Sequence, residues 1–239
     1  MSTRTKHNPF SILAVGFTLA VAVSAAPAQD TSGKSVLLEA VEVARDLQGL
    51  TAEVTLSGSG GGMFVDFIPT GTGRLQLVRQ AEPVEDRAWH TRLDTSYIHK
   101  KGDEEQQVSS LRTPTTFVWI DHDKKSVQER AHDERRAQAS SIIGLFGLPE
   151  LTEPEPFSRE LRQATSWKKH DREKMNGVLC DVIEIRYDMS QSSEKSRGNS
   201  MIRTPASKWY FGVDDHLPRR VERITDEGML AFTIVLDLK

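Results

Sequence analysis

Side chains on a β-strand point alternately to its two faces, and the end of this chain keeps that period over a long run. In "WYFGVDDHLPRRVERITDEGMLAFTIVLDLK", large apolar residues fall at Leu230, Phe232, Ile234, Leu236 and Leu238, with smaller or polar residues between them. A strand of this kind carries one continuous apolar face, and a sheet must cover such a face. The cover is either an ordinary packed core or the wall of a cavity that holds something apolar. Periodicity leaves both open.

The same alternation recurs along the chain. "TAEVTLSG", "MFVDFIP", "GRLQLVR", "AWHTRLD", "TSYIHK", "QQVSSL", "TTFVWID" and "KSVQERA" read as short strands, with "TGTG", "KKGDEE" and "DHDK" as turns between them. The run from Gly58 to Gly62 reads as a flexible loop, because no Lys-Ser/Thr follows it and no helix starts there, as a phosphate loop requires. After an interruption the strands resume with "ATSWKKHD", "GVLCDVIEIRY", "SKWYFGV", "PRRVERIT" and "MLAFTIVLDL", joined in part by the turns "VDDHLP" and "TDEG". The polar stretch over residues 188–206 reads as a loop. Tight turns make neighbouring strands antiparallel. About eleven strands in one antiparallel sheet must curl, which leaves a concave side to be covered.

Two amphipathic helices are available as cover. "SGKSVLLEAVEVARDLQGL" sets Val36, Leu37, Ala40, Val41, Ala44 and Leu47 on one face, with Ser32 or Ser35 as cap and Gly49 as stop. The interruption, "HDERRAQASSIIGLFGLPEL", suggests a second helix through Ala137, Ile142, Ile143, Leu145 and Phe146. The acidic, Pro-rich "TEPEPFSREL" after it reads as a surface connection with a short helical turn. The expected class is mainly β (α+β).

Ahead of all this stand Arg4, Lys6 and His7, then an uncharged apolar stretch over residues 10–23, then small residues at Ala25 and at Ala26-Pro27-Ala28. This is the layout of a secretory signal peptide, cleaved near Ala28 or Ala25. Its apolar part is about 14 residues, short of the ~20 that span a bilayer. The expected organisation is a signal over residues 1–28 and one domain over 29–239, exported and periplasmic. No cysteine follows the cleavage sites to carry a lipid anchor. The only cysteine, Cys180, lies in a strand-like run and reads as a small buried hydrophobe. A net charge of -3 with mixed signs and no basic block argues against a nucleic-acid partner.

Taken in order, these pieces resemble the LolA/LolB-type superfamily of periplasmic lipoprotein-sorting carriers. The resemblance rests on the export signal, the opening helix running into "LQGLTAEVTLSGSG", the hairpin "TFVWIDHDKKSVQER", the insertion "SSIIGLFGLPEL", then "MNGVLCDVIEIRY" and the closing strand pair from Lys208. It implies an unclosed β-barrel with helices packed in its mouth as a lid, and non-catalytic binding of lipid or lipoprotein acyl chains. Partners implied are inner- and outer-membrane transfer proteins, with no cofactor and no metal. It also implies residues beyond Lys239 forming an edge strand. Candidate cavity-lining residues are Phe117, Trp119, Trp209, Phe211, Leu230, Phe232, Ile234 and Leu236 on strands, with Leu145 and Phe146 from the lid. The alternative use of such a fold is an envelope-stress sensor or regulatory interaction protein. A secreted enzyme built on a His-Asp pair (His122 with Asp121 or Asp123, His132-Asp133 or His170-Asp171) is the third reading. Those pairs sit in turns or charged runs, which favour such residues for backbone reasons. No nucleophile elbow, zinc-protease pattern or cysteine cluster accompanies them.

Overall fold

We analysed a computed structural model of the chain, which describes residues 31–60, 66, 68–84, 87–99, 102–131, 143–188, 205–225 and 232–239. The signal region, His132-Asp133, Ala137, Ile142 and Leu230 lie outside these residues.

Helix α1 (Thr31–Asp46) comes first. It is followed by β1 (Gly49–Ser59), β2 (Thr70–Val84), β3 (Arg87–Ile98), β4 (Glu105–Arg112), β5 (Thr116–Asp121) and β6 (Ser126–Ala131). Among the described residues three short helices interrupt the strands: α2 (Ile143–Phe146), α3 (Pro149–Thr152) and α4 (Ser158–Gln163). The chain closes with β7 (Ala164–Met175), β8 (Val178–Tyr187), β9 (Ala206–Gly212), β10 (Pro218–Thr225) and β11 (Phe232–Leu238). All eleven strands form one antiparallel sheet in the order β6-β5-β4-β3-β2-β1-β11-β10-β9-β8-β7. It is an unclosed barrel with helices.

The order has a direct consequence for the helices. β6 and β7 are the two outer strands, yet they are consecutive along the chain. The segment between them must therefore cross from one edge of the sheet to the other. It carries α2, α3 and α4 across the mouth, and their positions follow: α2 packs on β1 and β3, and α4 on β7 and β8. Helix α1 lies against β7 and β8. It buries the expected face: Val36, Leu37, Ala40, Val41 and Ala44 are in the core. It fits closely because Gly33 has no side chain; a Cβ there would stand 3.2 Å from the Trp167 Cβ.

Several local expectations are corrected. Ser32 and Ser35 lie inside the first turns of α1, where the Ser35 hydroxyl donates to the Ser32 carbonyl at 2.8 Å rather than capping the helix. The helix ends at Asp46, and Gly49 opens β1 instead of stopping α1. Gly58 and Ser59 belong to β1 and pair with Ile234 and Thr233. "TGTG" is the start of β2 and not a turn: Gly71 and Gly73 pair with Tyr97 and Thr95. A Cβ on either glycine would collide with the β3 backbone, so these glycines mark close strand contact. The described residues of "MFVDFIP" are not strand, and the two strands expected over 88–100 are one, β3. β11 is not next to an edge, since β1 and β10 bond it on both sides. Ladder pairing thus joins the first and last strands at the middle of the sheet.

The core sits between the inner face of the sheet and the helices. It runs from Trp89 and Leu93 on β3, through Leu75 and Leu77 on β2 and Val54 and Leu56 on β1, to Leu236, Val221, Trp209 and Ile183 across β11 to β8. The outer face carries charges in register. Lys208 and Glu222 are cross-strand neighbours, and Arg220 reaches Asp237 at 2.7 Å. Cys180 is fully buried beside Val182 and Tyr210 on that face, and burial pushes its thiol pKa up, as a small inert hydrophobe requires.

Candidate functional site: the roofed inner face

The inner face is built by the two-residue period of each strand and differs from one wing to the other. On β8 to β11, Ile183, Ile185, Trp209, Phe211, Val221, Ile234 and Leu236 all point inward and are fully buried. The indoles and rings stack. Trp209 and Phe211 lie 5.7 Å apart at an interplanar angle of 6°, and Phe157 meets both edge-on at 5.3 and 5.8 Å. Phe157 comes from the edge-to-edge insertion, as do the buried Phe146, Leu148 and Leu151. The insertion therefore fills the hollow with its own side chains. "TEPEPFSREL" is corrected here: it is not a surface connection, because Phe157 is 0% and Glu160 1% exposed.

Phe157 holds this place at a backbone cost. Its φ of 56° lies in the left-handed region, which disfavours a bulky L-residue by about 1–2 kcal/mol. Its amide donates to the Glu150 carbonyl at 2.8 Å, and its carbonyl accepts from the Leu161 amide at 3.0 Å. The described residues of the insertion form no strand, and side-chain packing and a small polar network hold them on the sheet.

That network is buried. Arg223 on β10 donates to Glu150 Oε1 of α3 at 2.9 Å. Tyr187 on β8 donates to Glu160 Oε1 of α4 at 3.3 Å and meets the Ser207 hydroxyl, to which the Trp209 indole also donates at 2.9 Å. The second oxygens of Glu150 and Glu160 and the Arg223 Nη1 have no hydrogen-bond partner among the described residues. Burial, then the nearby Glu150 carboxylate, raises the Glu160 pKa to about 7. Burial, then Glu160, pushes the Tyr187 phenol well above its usual range. Arg223, a charged residue on an apolar strand face, thus receives Glu150 from the roof, and Tyr187 receives Glu160.

Of the ten residues expected to line a cavity, five are packed here at 1% exposure or less: Phe146, Trp209, Phe211, Ile234 and Leu236. Leu145, Trp119 and Phe232 are half-buried against the same core, and Phe117 is half-buried on β5. Leu230 lies outside the described residues. Space lies one step farther along β1 and β11. A cavity of about 470 Å³ is bounded by Leu50, Ala52, Leu238, Val178, Leu217 and Pro218, with Asn176, Arg219 and Lys239 as polar members. That volume is within the range of small-ligand pockets. Sequence reasoning missed these residues, since Leu50 and Ala52 precede the strongest alternation and Leu217-Pro218 read only as a turn.

Among the described residues, His122 and His170 form no hydrolytic arrangement. His122 is exposed on the β5–β6 turn, in an outer-face groove with Asp94 and Ser109. Ser109 bonds His122 Nε2 at 2.8 Å and is the cross-strand neighbour of Asp94. The serine therefore stands between acid and imidazole, whereas nucleophile activation needs the imidazole between them. His170 meets Glu184 at 3.3 Å within the outer-face charge ladder. Among the described residues no group of His, Cys, Asp and Glu is placed to hold a metal ion. No helix of those residues is long and apolar enough to cross a membrane.

No protein-family model matches the chain, and no curated protein matches it. Solved structures do. The lipoprotein LppX of Mycobacterium tuberculosis aligns over 88% of this chain and 94% of its own, at 11% identity and a TM-score of 0.52. LprF from Mycobacterium bovis aligns over 88% and 93%, at 9% identity and a TM-score of 0.54. A LolA superfamily protein from Nitrosomonas europaea aligns over 87% and 91%, at 10% identity, with a looser TM-score of 0.32. At such identities the likeness to LppX and LprF is one of fold alone.

Proposed function

We propose that the protein is a non-catalytic periplasmic binder of lipid or lipoprotein acyl chains, exported by the signal over residues 1–28, with residues 29–239 as its one domain. The observation that carries this reading is the origin of the side chains in the hollow. Phe146, Leu148, Leu151 and Phe157 belong to a crossing segment and not to a second sheet. If that segment lifts, Trp209, Phe211, Ile234 and Leu236 become a ready apolar trough that continues toward the cavity at Leu50 and Leu238. An acyl chain entering it gains about 0.8 kcal/mol per buried methylene. The chain replaces the insertion's own side chains, so part of that gain is offset by lost packing. Such an offset suits a binder that must also release its cargo to inner- or outer-membrane partners. The likeness in fold to the lipoprotein LppX supports a reading of this kind.

Native mass spectrometry of the chain purified from the envelope of its own cells tests this. Co-purifying acylated species are expected, together with saturable binding of an added acyl probe. Bare protein that binds no acyl probe would end the reading, and would favour a sensor or regulatory role for the same fold.

A further inference from the structure

The wing of the inner face opposite Arg223 holds a second inward arginine in a different condition. On β4, Val108, Ser110 and Arg112 share one face, and Val108 is part of the core, so Arg112 points inward. Its cross-strand neighbours are Thr91 on β3 and Phe117 on β5, and beyond Phe117 stands Arg130 on β6. Arg112 is half-buried, and its side chain makes no hydrogen bond or ion pair with any described residue. Burial, then the like charge of Arg87, pushes its pKa down. Arg87 stands on the same strand face as Trp89 and Thr91, and its Nη1 donates to the Pro114 carbonyl at 2.9 Å. Arg130 is exposed and donates only to Gln128 Oε1, at 3.1 Å, among the described residues.

A guanidinium in this position is costly. It is partly removed from water, sits beside another cation and has no anion among the described residues to offset it. Its planar fork suits a phosphate or carboxylate taken by two parallel N–H bonds. Phe117 lies in register between Arg112 and Arg130, and Trp119, two residues along β5, packs against the core edge. Cations at the rim and aromatic surface leading inward match a molecule with a charged head and an apolar body.

We propose that Arg112, with Arg130 across Phe117, seats the phosphate or carboxylate of an anionic amphiphile whose apolar part runs inward past Phe117 and Trp119. The inference rests on the acyl-binding reading and names the head group that the same inner face selects.

Titration calorimetry on the full chain with decyl phosphate, decanol and inorganic phosphate separates the cases. Decyl phosphate is expected to bind at least about tenfold tighter than decanol, the size of one charge-assisted contact. Arg112→Gln should bring decyl phosphate to the decanol level while leaving decanol unchanged. Arg112→Lys should recover part of the preference, Arg130→Gln should lose about threefold, and added salt should narrow the gap. Equal affinity for the two amphiphiles in the unsubstituted protein overturns the anion seat and leaves acyl binding standing. Inorganic phosphate bound and lost in Arg112→Gln, with neither amphiphile bound, keeps an anion site but overturns its assignment to an amphiphile. No binding of any of the three overturns both readings.

Discussion

Arg223 and Arg112 stand on the same inner face, on opposite wings of one sheet, and their surroundings differ in every respect that matters. Arg223 is met by Glu150 from the roof, beneath helices that also deliver Phe157 onto Trp209 and Phe211. Arg112 meets no acid among the described residues, lies next to Arg87, and borders half-buried aromatics. The sheet is therefore filled around Trp209, where α3 and α4 bring their side chains, and only half-buried and cationic around Arg112. One wing is held shut by what the chain itself supplies. The other has an electrostatic vacancy that the described chain does not fill.

Stability measurements should reproduce this division. The largest effect is expected for Trp209→Ala, which empties the aromatic stack and should cost about 3–5 kcal/mol in urea unfolding. Trp119→Ala, on the half-buried wing, should cost less than about half of that. Comparable losses would mean that the two wings are packed alike.

Arg223→Met should cost about 3–5 kcal/mol, because it strands Glu150 in the core. The double variant Arg223→Met with Glu150→Leu should recover most of the loss, since replacing both partners removes the uncompensated charge. Next comes pH. The folded chain holds a proton on Glu160 up to about 7, whereas the unfolded chain releases it near 4.5. Folding therefore binds a proton between those values, and stability should fall as pH rises through that window, by up to about 3 kcal/mol. Thermal unfolding across this range should show the decline, and Glu160→Gln should flatten it. The smallest effect is expected at Arg112. Arg112→Gln should change stability by no more than about 0.5 kcal/mol, or raise it slightly by relieving Arg87. A loss above about 2 kcal/mol would mean that Arg112 serves the fold and has a partner after all.

Much of this fold can be read from periodicity. β4 to β11 appear in the sequence as alternating runs between polar turns, and the inward face of β11 follows from Ile234, Leu236 and Leu238. β2 is harder, because Gly71 and Gly73 look like a turn while close approach to β3 is what needs them. What covers the face is not legible. Alternation shows which side is apolar but carries no information on whether water, ligand or another part of the chain touches it. Glu160 sat in an acidic, Pro-rich stretch that resembles surface and Glu150 just ahead of it, at the end of the expected second helix, and the burial of Glu150 depends on a partner far away in sequence. A signal for that partner was present. Arg223 falls in phase with Val221 on β10, and Arg112 in phase with Val108 on β4, so each is a charge at an inward position. Such a charge must be paired, or stand ready for a ligand.

The central claim is that the roof over Trp209 gives way to an acyl chain. The chain has four tryptophans, so substituting Trp89, Trp119 and Trp167 with Phe leaves Trp209 as the sole indole reporter. Titration with a fatty acyl chain brominated along its length then reads contact directly, because bromine quenches indole fluorescence only at close range. The account predicts saturable quenching of Trp209 by the brominated chain and none by its unbrominated counterpart. Trp209 emission that stays unchanged while acyl chains are present in excess would show that Phe157 and its neighbours are a permanent core, and the trough would have to be given up.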